Sequence, residues 1–146
     1  MVLKEQYLPY DRTVLSKNVM GALVSNLQFR DADFLKKYDI NVMSNSEVHS
    51  INYEKKFVET INNNQVPYDG LLIASGGRVR IPDVEGIRLD NVFTLREYND
   101  LEKLRDKAKK SSKLVVIGAS FIGLEAAASL KDTLKDKLDV VVCDAS

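Results

Sequence analysis

The sequence predicts an α/β chain in which a small antiparallel β meander precedes a strand–turn–helix–strand unit. Three observations carry that expectation. From Glu47 to Pro67 the side chains alternate with a period of two, interrupted by the polar turns Glu54-Lys55-Lys56 and Asn62-Asn63-Asn64. Leu114 to Ile117 is a β-branched apolar run of the kind buried on both faces of a parallel sheet. After it come the turn Gly118-Ala119-Ser120, helix formers from Phe121 to Leu130 and a second apolar run from Leu138 to Val142, ending at Asp144. Together they have the size of one βαβ unit, about 30 residues.

From the N-terminus, Pro9 forces Leu8 to be extended, and Asp11 and Thr13 are both able to cap the next turn. Arg12 and Lys17 stand in a turn-rich stretch that reads as a solvated loop. Phe29, Ala32, Leu35 and Tyr38, spaced at three, predict a short helix within 28–38, and Ile40-Asn41-Val42 a brief strand. After the meander, Tyr68 to Gly77 reads as another buried strand running into a glycine turn, where small residues allow close backbone approach. Arg80 to Gly86 is a loop and Asn91 to Leu95 a short strand. The spacing Asn99–Glu102 resembles a capping box opening a helix with Leu101, Leu104 and Ala108 inward.

Composition excludes several classes of function. The chain has 146 residues, 45% hydrophobic and 29% charged, a globular balance. Its 21 basic and 21 acidic residues cancel, which removes the electrostatic case for nucleic acid. No apolar run is long enough for a membrane span, and the N-terminus has neither secretory nor Arg-rich transit character. A single histidine, His49, excludes a multi-histidine metal site and reads as a surface strand position. A single cysteine, Cys143, excludes a redox C-x-x-C pair and reads as a buried, inert thiol. The chain stops two residues after Asp144, so the nucleotide domain is expected to be truncated.

The chemistry expected of the βαβ unit is anion capture in the Rossmann manner. The first amides of a helix lack intrahelical partners and the helix dipole favours negative charge there, so a pyrophosphate can sit on them. Gly118 permits the tight turn and Gly123 lets helix and strand pack closely, while Ser120 replaces the middle glycine of the usual pattern. Ala119, Phe121 and Ile122 complete the candidate phosphate loop. Asp144 is placed to accept from an adenosine ribose, and an acid there favours NADH over NADPH. The competing reading is a glycine-punctuated unit that binds nothing.

Four stretches carry a family resemblance: L-P-Y-D-R-T-V-L-S-K, Y-D-G-L-L-I-A-S-G-G, N-V-F-T-L-R-E-Y-N-D and V-V-I-G-A-S-F-I-G-L-E. In that order and spacing the chain resembles the FAD-dependent pyridine nucleotide-disulfide oxidoreductases, in the branch of apoptosis-inducing factor and the NADH-dependent ferredoxin and rubredoxin reductases. The resemblance implies an α/β fragment of a flavoprotein with two dinucleotide-binding domains. Residues 1–95 would be part of the FAD-binding domain and 96–146 the first βαβ unit of the NAD-binding domain, hinged at Leu95-Arg96.

The resemblance also implies roles. Arg12 and Lys17 match positions beside the isoalloxazine, and Glu125 matches the acid paired with that lysine, giving a catalytic pair Lys17–Glu125. Val48 matches the residue whose backbone meets the FAD adenine. Ala74 and Gly76 match the A-T-G motif, with Ser75 for threonine, and Arg80 a basic residue near the flavin. Glu5 would match the acid on the FAD ribose, unless Lys4 occupies that place instead. The implied activity is electron transfer from NADH through FAD to a ferredoxin-like or Rieske-type protein, or to a quinone. The alternative is a truncated, non-catalytic relative binding a nucleotide or a partner. The cytoplasm is the expected compartment, with the mitochondrion as alternative. The family's first glycine motif and its later Gly-Asp motif are both missing, so weak or no flavin binding is expected of the 146 residues alone.

Overall fold

A computed structural model describes residues 1–143, so Asp144 lies outside the described residues. The chain is α/β and divides into two compact units, one of residues 1–10 and 28–77, the other of 11–27 and 78–146.

The first unit contains the meander. Strands β1 (Val48–Asn52), β2 (Phe57–Thr60) and β3 (Gln65–Pro67) form a three-stranded antiparallel sheet in sequence order. Lys56 and Asn63 adopt positive φ in the two turns. The alternation works as anticipated on β2, where Val58 and Thr60 are buried and Phe57 and Glu59 are half-buried. His49 is an exposed strand residue whose Nε2 lies 3.8 Å from Glu59 Oε2. The expected helix is shorter than its periodicity, Ala32–Lys37 (α2), because Asp31 is extended and its side chain accepts from the Phe34 amide at 2.8 Å. Phe29 and Tyr38 are consequently exposed. Residues 40–42 form no strand; the pairing is one residue later, as a parallel bridge between Met43 and Val2.

The second unit holds the βαβ element. Strands β4 (Lys113–Ile117) and β5 (Asp139–Cys143) run parallel, in register from Lys113 with Asp139 to Ile117 with Cys143. Helix α4 (Phe121–Leu134) connects them, burying Ala126, Ala127 and Leu130. Helix α3 (Tyr98–Ala108) buries Tyr98, Leu101, Leu104 and Ala108. Its N-terminal acid is Asp100, whose Oδ2 accepts from the amides of Arg96 (2.9 Å) and Glu97 (3.0 Å), so the box starts two residues before the predicted position.

Other expectations are overturned. The turn-rich stretch holding Arg12 and Lys17 is solvated only in part: Lys17 is exposed, but Leu15, Val19 and Ala22 are buried. They are followed by the short helix α1 (Val24–Leu27). The stretches 68–77 and 91–95 form no strands, and Leu72 is 87% exposed. An apolar run becomes a buried strand only when a neighbouring strand takes its backbone hydrogen bonds, and among the described residues these stretches have only isolated bonds, Tyr68 N–H to the Lys56 carbonyl and Val92 N–H to that of Leu89. Nor is β4, although paired with β5, buried on both faces. Leu114 and Val116 are half-buried, whereas Val115 and Ile117, pointing the opposite way, are exposed. Cys143 is exposed rather than buried, because β5 pairs on one side only among the described residues.

Candidate functional site

A polar cluster of the second unit joins the 11–22 segment to α4. Asp11 caps a short 3₁₀ turn, Arg12–Val14, accepting from the Thr13 amide at 2.9 Å and from Thr13 Oγ1 at 2.7 Å. The Thr13 carbonyl in turn accepts from Lys17 Nζ at 3.0 Å. The same ammonium lies 3.1 Å from Glu125 Oε2, joining residues 108 apart in sequence. Ser16 Oγ donates to that same carboxylate oxygen at 2.6 Å. The Ser16 hydroxyl, then Lys17, hold the Glu125 carboxyl below the ordinary glutamate range. The bonds from Thr13 likewise lower Asp11.

What presents these groups is packing farther along the segment. Val19 is fully buried, its amide donating to Ser129 Oγ on α4 at 2.9 Å and its carbonyl accepting from Arg105 Nε on α3 at 2.9 Å. Arg105 also donates through an NH2 group to the Ala22 carbonyl at 2.6 Å, where the Tyr98 hydroxyl donates as well, at 3.3 Å. A fork of guanidinium donors suits two carbonyls offered side by side. Arg12 is fastened separately, donating to the Arg96 carbonyl at 3.0 Å.

The glycine turn adjoins Glu125. Gly118 has φ +103, a conformation that a residue with a Cβ rarely adopts, and beyond its own chain neighbours no atom stands within 4 Å of where a Cβ would be. A Cβ on Gly123 would overlap the Gly118 carbonyl oxygen and approach Val116 Cγ1 at 3.3 Å, so the close helix–strand contact needs glycine there. Ser120 is the extended N-cap of α4, and its side chain makes no capping bond. Phe121 and Ile122 are exposed in the first turn, with Ala119 half-buried before them.

The remaining candidates are spread out. Val48 is exposed at the start of β1. Ala74 and Gly76 lie in the exposed stretch after β3, Gly76 at φ +69, and Arg80 is exposed in the stretch opening the later part of the second unit. Glu5 accepts from the Tyr10 hydroxyl at 2.6 Å, while Lys4 lies 3.4 Å from Glu47 Oε2. Sequence reasoning missed Ser16, Ser129 and Arg105. Only Ser16 left a signal, its place beside Lys17 in the L-S-K match; a bond to a helix more than 100 residues away has no periodicity. Among the described residues no cluster of His, Cys, Asp and Glu could hold a metal, and no helix is long and apolar enough to cross a membrane.

A family model described as pyridine nucleotide-disulphide oxidoreductase matches residues 1–145. The chain is 32% identical over 146 residues to the ferredoxin–NAD(+) reductase subunit of the benzene 1,2-dioxygenase system of Pseudomonas putida, covering 99% of this chain and 35% of that protein. It is 31% identical over 128 residues to human apoptosis-inducing factor 3, covering 88% of this chain and 21% of that protein. Among solved structures, a ferredoxin reductase from Rhodopseudomonas palustris superposes with a TM-score of 0.87 at 34% identity, covering 97% of this chain and 34% of that one. The chain thus spans about a third, or less, of the length of these relatives.

Proposed function

The chain belongs to the pyridine nucleotide-disulphide oxidoreductase family, and we propose that it contributes to an FAD-dependent reductase drawing electrons from NADH. The acceptor is an iron–sulfur protein of ferredoxin or Rieske type. Residues 1–95 belong to the flavin domain and 96–146 open the NAD domain. The observation that carries this reading is the Lys17–Glu125 pair, held one helical turn from an open glycine turn.

The residues present fit a dinucleotide at that turn. The space over Gly118 admits a phosphate close to the backbone, and the first amides of α4 supply donors and a favourable dipole. Ala119 to Gly123 line that approach, and Asp144 would take the ribose. Val48, Ala74, Gly76 and Arg80 are assigned to FAD, with Arg12 and Lys17 at its ring. When bound, the flavin supplies the exchange between two-electron and one-electron chemistry. The chain's part is electrostatic. Thr13 and Glu125 fix the Lys17 ammonium, whose charge offsets negative charge developing beside it. The Lys17–Glu125 attraction itself adds little to stability, since screened surface pairs contribute little, and its use is orientation.

The test is NADH-dependent reduction of ferricyanide with FAD in excess, by the full-length reductase proposed here and by its Lys17→Met variant. Turnover that falls at least tenfold in the variant is expected. NADH binding without any turnover would replace this reading with that of a non-catalytic nucleotide-binding relative.

A further inference from the structure

We propose that Ser16 is a positioning residue for Glu125, selecting the carboxylate oxygen that meets the Lys17 ammonium and holding it there. The functional consequence rests on the role proposed above for Lys17; the geometric claim does not.

Both donors converge on one atom. Ser16 Oγ and Lys17 Nζ reach Glu125 Oε2 at 2.6 and 3.1 Å, from adjacent residues of one turn. The two donors differ in freedom. Ser16 is 4% exposed and has a single short rotor, also within 3.5 Å of the Thr13 carbonyl. The Lys17 side chain is 53% exposed, at the end of a flexible stem. An ammonium of that kind gives a point charge without direction, whereas a buried hydroxyl gives a directed bond. Without Ser16, Glu125 could swing into solvent and Lys17 would keep only the Thr13 carbonyl. With it, the carboxylate is fixed first and the ammonium settles against it. The direction in which Glu125 titrates agrees, since the Ser16 hydrogen bond is the largest single cause holding its carboxyl below the ordinary range.

The experiment is a carboxyl-carbon NMR titration of Glu125 in the 146-residue chain without cofactor, comparing Ser16→Ala and Lys17→Met. Ser16→Ala is expected to raise the Glu125 midpoint toward that of a solvent-exposed glutamate, and by more than Lys17→Met does. It should also abolish the response of the Lys17 Nζ signal to Glu125 protonation. In the unsubstituted chain the Ser16 Cβ signal should titrate at the Glu125 midpoint, a measurement that decides the matter even where a variant does not fold. A Ser16 signal flat through that titration, or a Glu125 midpoint unmoved in Ser16→Ala, overturns the proposal. Because no flavin is present, neither result depends on the ferricyanide assay.

Discussion

Replacing Arg105 by Met removes the guanidinium that fastens the 11–22 segment while keeping most of the apolar stem. Two charge-assisted hydrogen bonds are lost, to the Val19 carbonyl at 2.9 Å and the Ala22 carbonyl at 2.6 Å. Each such bond contributes about 1.5–3 kcal/mol. The two share one side chain and do not add in full. Ala22 keeps the Tyr98 hydroxyl as a partner, but Val19, fully buried, is left with an unsatisfied carbonyl. Leaving a buried acceptor unpaired costs about 1–3 kcal/mol, so a total near 3 kcal/mol is expected. That is a large fraction of a typical domain stability of about 5–15 kcal/mol. Urea unfolding followed by circular dichroism reads the loss as a lower midpoint at unchanged slope. Amide exchange of Val19, whose N–H is held by Ser129, should accelerate more than that of β2 in the other unit. Arg105→Lys should not restore the protein, because a point donor cannot span both carbonyls. A loss below about 1 kcal/mol for Arg105→Met would refute the clamp.

Gly123→Ala forces α4 away from β4, because the new methyl would meet the Gly118 carbonyl. A loss of about 1–3 kcal/mol is expected in urea unfolding, with weaker NADH binding by fluorescence titration. Acid should act through Asp11 and Glu125, whose folded pKa values lie below their ordinary ones. A depressed carboxyl contributes stability above its unfolded pKa, roughly 4 for these residue types. That contribution disappears as pH falls through the lower, folded value. Thermal unfolding across the acid range should therefore show a smaller decline with pH in a Glu125→Gln variant than in the unsubstituted chain.

The local units were legible in the amino-acid order alone. A two-residue period with polar breaks is enough for a hairpin meander, since turn residues and alternation act over neighbours, and 48–67 folds accordingly. Apolar run, glycine, helix formers and apolar run are likewise enough for β4, α4 and β5, and the steric needs of Gly118 and Gly123 come from their immediate surroundings. The inward face of α3 was readable from Leu101, Leu104 and Ala108, although its cap was displaced, because Asp100 could serve more than one start. Family motifs pointed to Lys17 and Glu125 together. Which apolar residues find partners was settled by tertiary packing instead. Leu72, Val115 and Ile117 have strand-like composition, yet burial depends on distant segments that composition does not name. The 11–22 segment looked solvated because its carbonyls show nothing of Arg105, nor its amides of Ser129. The hydroxyl of Ser16 is the clearest case. One serine among polar neighbours becomes a directed donor only when chain closure brings a glutamate from α4 to within 2.6 Å of it.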